Sequence, residues 1–142
     1  MSKKINLEPK AYEAMQALEN YLDTTGVNPL HKELIKIRAS QINGCAYCIN
    51  MHTKDARAKG ETEQRIYALN AWRETPFFTP EERAILALTE EVTNIKHGVS
   101  EKVMEEAARL LDRHYLAQVI MAIVTINAWN RIGISTGLQP AL

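Results

Sequence analysis

The sequence predicts an all-α fold, a single compact domain of six to seven helices, on three observations. Hydrophobic residues make up 46% of the chain, but aromatics only 6%, with six glycines and five prolines, a balance that suits packed helices rather than strands and turns. Apolar residues recur at spacings of three and four, and no stretch of useful length shows the period of a strand. Prolines, Ser/Thr/Asn caps and glycines fall at the borders of the periodic segments, where helices start and stop. At 142 residues one domain spanning 1–142 can bury a core without staples.

The first helix is expected over 8–25, with Ala11, Ala14, Met15, Leu18 and Leu22 on one face and Gly26 as the stop. Asn28-Pro29 supplies a cap and a first-turn proline for the second, which carries Leu30, Leu34, Ile37 and Ile42 to Asn43-Gly44. A third begins at or near Cys45 and runs to Lys59-Gly60. The fourth starts at Glu61 or Thr62, aligns Ile66, Leu69 and Trp72, and breaks at Thr75-Pro76. Thr79-Pro80-Glu81-Glu82 reads as a capping box that opens a fifth helix, carried through Ile95 to His97-Gly98. Ser100 caps a sixth, ending near Asp112, with Val103, Met104, Ala107, Leu110 and Leu111 inward. The seventh, 114–134, is apolar on nearly every side, which predicts burial in the domain centre or between subunits and requires partners for Asn127 and Asn130.

Seventeen basic and seventeen acidic residues cancel, so the charge points to neither nucleic acid nor an anionic membrane. The first residues lack the apolar core of a secretory signal, and the most apolar run, 116–126, is too short to span a bilayer. A cytoplasmic protein is the expectation. In a reducing compartment a close cysteine pair is more often catalytic or metal-binding than structural.

Chemistry concentrates in Cys45-Ala46-Tyr47-Cys48 and His52, with Glu33 twelve residues before the first cysteine. On a helix Cys45, Cys48 and His52 share a stripe. His52 lies four residues from Cys48, a rise of about 6 Å, but seven from Cys45, about 10.5 Å. The imidazole therefore reaches Cys48, which becomes the candidate attacking sulfur, favoured as thiolate by the start of a helix. Cys45 becomes the resolving partner, able to close a disulfide with its neighbour. If the second and third helices pack antiparallel about Asn43-Gly44, Glu33 falls within a turn of His52 and can orient it as the third member of a relay.

Each element also has a plainer reading. Cysteine is a common small core residue, and a Cys-x-x-Cys pair alone is a weak motif until His52 joins it in register. Zinc competes as well: Cys45, Cys48 and His52 are three ligands, and His31 or Glu33 could complete four. Structural zinc pairs usually come from knuckles, however, and no second pair exists here. No metal and no other cofactor is therefore expected. His31, His97 and His114 lie near helix ends and read as capping or surface residues; Tyr47 and Trp72 read as core or interface aromatics, and Met51 as packing.

Taken together, Glu33, Cys45-Ala46-Tyr47-Cys48, His52, Ala56-Arg57 and Gly60 resemble the signature of the alkylhydroperoxidase D-like (AhpD-like) proteins of the carboxymuconolactone decarboxylase family. The likeness continues through Trp72-Arg73-Glu74, Glu82-Arg83-Ala84 and Leu86-Ala87-Leu88-Thr89 to Asn127-Ala128-Trp129-Asn130-Arg131. This resemblance implies an all-helical subunit of a homo-oligomer, trimer or hexamer, acting on a peroxide. Cys48 would attack the O–O bond, Cys45 would condense with the resulting sulfenic acid, and Glu33 and His52 would relay protons. A dithiol reductant, lipoyl-bearing or thioredoxin-like, would reopen the disulfide. The decarboxylase branch is not marked by the cysteine pair. This chain departs from the founding type at Tyr47, where that type has histidine. A helical oligomer that senses redox state or exchanges disulfides without efficient turnover is the alternative.

Overall fold

Helix starts follow the caps. In the computed structural model, which describes residues 4–142, Asn28 Oδ1 accepts from the Leu30 amide at 2.9 Å and so opens α2 (Pro29–Asn43), which follows α1 (Pro9–Asp23). Cys45 opens α3 (Ala46–Ala58), and Thr62 Oγ1 accepts from the Arg65 amide to open α4 (Glu63–Tyr67). The capping box forms in both directions, Glu82 N to Thr79 Oγ1 at 3.1 Å and Thr79 N to Glu82 Oε1 at 2.9 Å, and opens α5 (Pro80–Thr93). Ser100 caps α6 (Glu101–Leu110), and Asp112 caps α7 (Arg113–Thr136) through the amides of His114 and Tyr115. Each cap takes up orphan N–H groups of a first turn. The fold is all-α, and the described residues hold no strand.

Several boundaries differ from the sequence reading. The first helix ends without help from Gly26: the hydroxyls of Thr24 and Thr25 donate to the carbonyls of Tyr21 and Leu22, and Gly26 does not adopt a positive φ. The fourth helix breaks after Tyr67 into a 3-10 segment, Leu69–Glu74, bent at Ala71. Ile66, Leu69 and Trp72 are spaced strictly by three, and a 3-10 turn stacks such residues in one line whereas an α-helix would rotate them apart; all three are buried. The fifth helix stops at Thr93, and Ile95–His97 form a separate 3-10 turn. Ile95 is 55% exposed, so continuing the helix through it would bury little.

The helix at the centre of the packing is α2, not α7. Its Leu34 and Ile37 face one core cluster, with Ala56, Ile66, Leu69 and Leu86, while Ile35 and Ala39 face the other, with Leu22, Leu88, Val119 and Ile123. Helices α3, α5 and α7 pack around it. The apolar α7 instead leaves Val124 and Ile134 about half exposed.

Asn127 and Asn130 do find the partners they need. Asn43 Nδ2 donates to both side-chain oxygens at 2.9 Å, Asn127 donates to Thr93 Oγ1 at 3.0 Å, and Asn130 donates to Ser40 Oγ at 2.9 Å. Buried amides satisfied in this way fix one register between helices. The ladder locks the end of α2 onto α7, next to the cysteine turn.

A second polar knot holds α4 to α5. Arg65 spans two buried carboxylates, with Nε 2.7 Å from Glu61 Oε1 and Nη2 2.6 Å from Glu82 Oε2, and donates to the Phe77 carbonyl at 2.8 Å.

Candidate thiol redox site

Between α2 and α3 the chain reverses at Gly44, whose φ of 73° lies in the left-handed region that favours glycine. The next residue, Cys45, is extended (φ −88°, ψ 94°) and caps α3, its Sγ accepting from the Cys48 amide at 3.3 Å. Cys45 thus stands just outside the helical stripe that the spacing suggested. The two Cα atoms are nonetheless 5.3 Å apart and the sulfurs are joined in a disulfide, a separation well suited to a bridge.

Both sulfurs are buried, and they are not equivalent. Cys48 lines a cavity of about 390 Å³ formed by α1, α2, α3 and α7, and Cys45 does not. Tyr12, Tyr47, Met51 and Trp129 give this cavity apolar surface, and Lys36, His52 and Asp55 give it polar atoms. Behind the disulfide, α7 presents Gly133, where a Cβ would stand 3.3 Å from Cys45 Sγ and 3.8 Å from Cys48 Sγ. A larger residue there would press on sulfurs that the bridge prevents from moving.

His52 and Glu33 meet across the α2–α3 hairpin, as the antiparallel argument expected. His52 Nδ1 lies 3.4 Å from Glu33 Oε2 and 3.8 Å from Asp55 Oδ2. Neither Nδ1 nor Oε2 makes a hydrogen bond of regular geometry, although both atoms are buried. The other oxygen of Glu33 accepts from Lys59 Nζ at 2.6 Å. Burial pushes the Glu33 carboxyl up, but His52, Lys59 and the nearby Lys36 outweigh it and hold the pKa down at about 2. The carboxylate therefore stays charged beside the imidazole throughout the neutral range.

Because the folded value lies below the ordinary 4.5, this group adds stability that is complete above about pH 4.5 and lost as pH falls toward 2. At 1.36 kcal/mol per pH unit the contribution is on the order of 3 kcal/mol. Urea unfolding across this window should show the loss in wild type and a much flatter profile in Glu33→Gln.

The structure joins Cys45 to Cys48, sets His52 against Glu33 and places Cys48 and His52 on one cavity, and it adds residues that the sequence did not single out. Lys59 read only as a helix-terminal cation, yet it holds Glu33. Asp55 lies three residues after His52 and Lys36 three after Glu33, both at same-face spacing. Gly133 had a signal of its own, since glycine inside an apolar helix marks a close approach.

His31 is neither a surface group nor a partner of the cysteines. Its Nδ1 is 2.9 Å from the Tyr115 hydroxyl and its Nε2 is 3.7 Å from Glu82. Burial lowers its pKa, partly opposed by Glu82. Met51 is 38% exposed at the cavity rather than packed in the core, and Tyr47 also lines that cavity. Trp72 is a core residue, donating to Glu90 at 3.0 Å. No helix among the described residues is long and apolar enough to cross a membrane.

The chain is similar to known proteins in sequence and in fold. The chain is 43% identical over 148 residues to the uncharacterized protein YdfG of Bacillus subtilis (strain 168), covering 99% of each. A crystal structure of a protein of unknown function from Agrobacterium tumefaciens, described as a candidate antioxidant defence protein AhpD, superposes with a TM-score of 0.95 at 37% identity, covering 99% of both chains. A shorter match, 39% identical over 61 residues, joins 42% of this chain to 31% of the alkyl hydroperoxide reductase AhpD of Koribacter versatilis (strain Ellin345). Residues 9–91, which include both cysteines, His52 and Glu33, match the model of the carboxymuconolactone decarboxylase family. With more than half its length in that match and an AhpD-like fold throughout, the chain belongs to the carboxymuconolactone decarboxylase family as an AhpD-like member.

Proposed function

We propose that the protein is a thiol-dependent peroxidase in which Cys48 is the nucleophile, Cys45 the resolving thiol, and His52 with Glu33 the proton relay. The observation that carries this reading is the Cys45–Cys48 disulfide with, of the two cysteines, only Cys48 on the cavity, backed by a buried imidazole and a carboxylate that stays charged through the neutral range.

In the reduced protein the Cys48 thiolate attacks the terminal oxygen of a hydroperoxide. The O–O bond breaks, the released alkoxide takes a proton from the relay and leaves as an alcohol, and the sulfur becomes a sulfenic acid. Cys45 then attacks Cys48 Sγ, forming the S–S bond and expelling hydroxide, which is protonated to water. Two electrons from a dithiol reopen the bridge by thiol exchange through Cys48. His52, one helical turn from Cys48, is the group that moves the proton, and Glu33 orients it. The reductant is a lipoyl-bearing or thioredoxin-like dithiol, and the subunit works as a homo-oligomer.

The test is a turnover experiment with an organic hydroperoxide and excess dithiol. Many equivalents of peroxide should be consumed per subunit, with the Cys45–Cys48 disulfide accumulating when the dithiol runs out. Oxidation that stops at one equivalent under every dithiol tried would reject the enzyme in favour of a redox-sensing role.

A further inference from the structure

We propose that Glu33, His52 and Asp55 form a binding site for a divalent cation of the zinc class, placed on the proton path of the thiol site. Glu33, His52 and Asp55 each offer a ligand atom within 4.8 Å of the others, with His52 Nδ1 3.4 Å from Glu33 Oε2 and 3.8 Å from Asp55 Oδ2. A tetrahedral zinc with ligands at about 2.0–2.1 Å has ligand-to-ligand edges of about 3.3–3.4 Å. The Nδ1–Oε2 separation matches such an edge, and the longer Nδ1–Oδ2 separation is one that the half-exposed Asp55 side chain can close by rotating.

The second observation is independent of this spacing. His52 is buried to 8% exposure and Glu33 to 1%, and their facing atoms Nδ1 and Oε2 lack a hydrogen-bond partner. A cation between them would satisfy both at once. The outer contacts also suit a ligand set. Lys59 occupies the remaining oxygen of Glu33 at 2.6 Å and so fixes which oxygen points inward, as partners of metal-bound carboxylates do. Lys36, the other nearby cation, is drawn toward Glu19 at 3.6 Å.

One imidazole nitrogen and two carboxylate oxygens suit zinc or its first-row neighbours better than calcium or magnesium. Asp55 has a half-exposed side chain and lines the cavity, so a fourth position can be filled by water from that side. This ligand set differs from the cysteine-based one considered from the sequence. The sulfurs are joined to each other, and His31 is engaged by Tyr115.

An ion on Nδ1 takes the place of the proton that His52 would share with Glu33. Its effect on turnover rests on the peroxidase reading; its binding does not. The experiment therefore uses the disulfide-bonded protein without peroxide, titrated with zinc chloride by calorimetry and followed by ¹⁵N spectra of the imidazoles. One ion per subunit should bind, the Nδ1 resonance of His52 should shift, and Asp55→Asn should weaken binding by at least about tenfold. Glu33→Gln should do the same, while the exposed position of Asp55 keeps the first variant safe for the fold. Absence of zinc binding, an unmoved Nδ1 resonance, or equal affinity in Asp55→Asn would each overturn the site.

Discussion

Cys48→Ser is expected to lower the rate at which the reduced protein consumes an organic hydroperoxide by at least about 10³-fold, because a serine hydroxyl is no substitute for a thiolate nucleophile. Cys45→Ser is expected to behave differently. It should react once at nearly the wild-type rate and then hold Cys48 as a sulfenic acid, trapped by a dimedone-type reagent and detected by mass. The asymmetry follows from position. Cys48 lies in the first turn of α3 and opens on the cavity, whereas Cys45 sits behind it under Gly133. Stopped-flow consumption of peroxide by the two variants decides the matter. Equal loss in both, or retention of the fast step in Cys48→Ser, would reverse the assignment or remove it.

Arg65→Met is expected to cost about 3–5 kcal/mol, the range for breaking a buried ionic group from one side. The side chains of Glu61 and Glu82 are 2% and 6% exposed, and Arg65 is the cation that bridges them. It also lies over the Phe78 ring at 4.7 Å, so the loss includes packing. Burial raises the Glu82 carboxyl, but Arg65 and the Thr79 amide overcome it and leave the pKa lowered. Without the guanidinium, two carboxylates face each other in the interior. For a chain of this length the melting temperature should fall by roughly 10–15 °C. Replacing both glutamates with glutamine in the Arg65→Met background should recover part of that loss. A fall of less than about 1 kcal/mol would show that water relieves the carboxylates and that the knot contributes little.

The fold was legible where a single segment carried its own instructions. Thr79 and Glu82 specify the start of α5 by a reciprocal pair of bonds, and the structure reproduces it. Boundaries set by neighbours were not legible. Whether Ile95 continues a helix depends on whether a core waits for it, and the stop after α1 depends on two threonine hydroxyls rather than on Gly26. The centrality of α2 was hidden for the same reason. Its polar Glu33, Lys36 and Ser40 lower its apparent apolarity, yet they are buried because each has a partner on another element or on its own turn.

The candidate site divides along the same line. Cys45, Cys48 and His52 lie within eight residues, so helical spacing relates Cys48 to His52, and the cap position of Cys45 keeps it beside Cys48. Glu33 needed only the extra assumption of an antiparallel hairpin. Lys59, twenty-six residues from Glu33, reaches it because α3 runs back along α2 for nearly its full length, and no local pattern announces that. The Glu61–Arg65 pair is visible at four-residue spacing, but Glu82, seventeen residues beyond Arg65, is brought in only by packing.

One detail of the cysteine turn bears on what the protein must do between its two chemical states. Cys45 caps α3 through its backbone as well as its sulfur: its carbonyl accepts the first helical bond from the Ile49 amide at 2.9 Å, and its own amide donates to the Ser40 carbonyl at 3.0 Å. When the bridge opens, Cys45 Sγ remains within reach of the Cys48 amide it already accepts from at 3.3 Å. The bonds that start α3 thus run through backbone atoms and one sulfur lone pair rather than through the S–S bond, so the first turn keeps its own anchors whichever state the sulfurs are in.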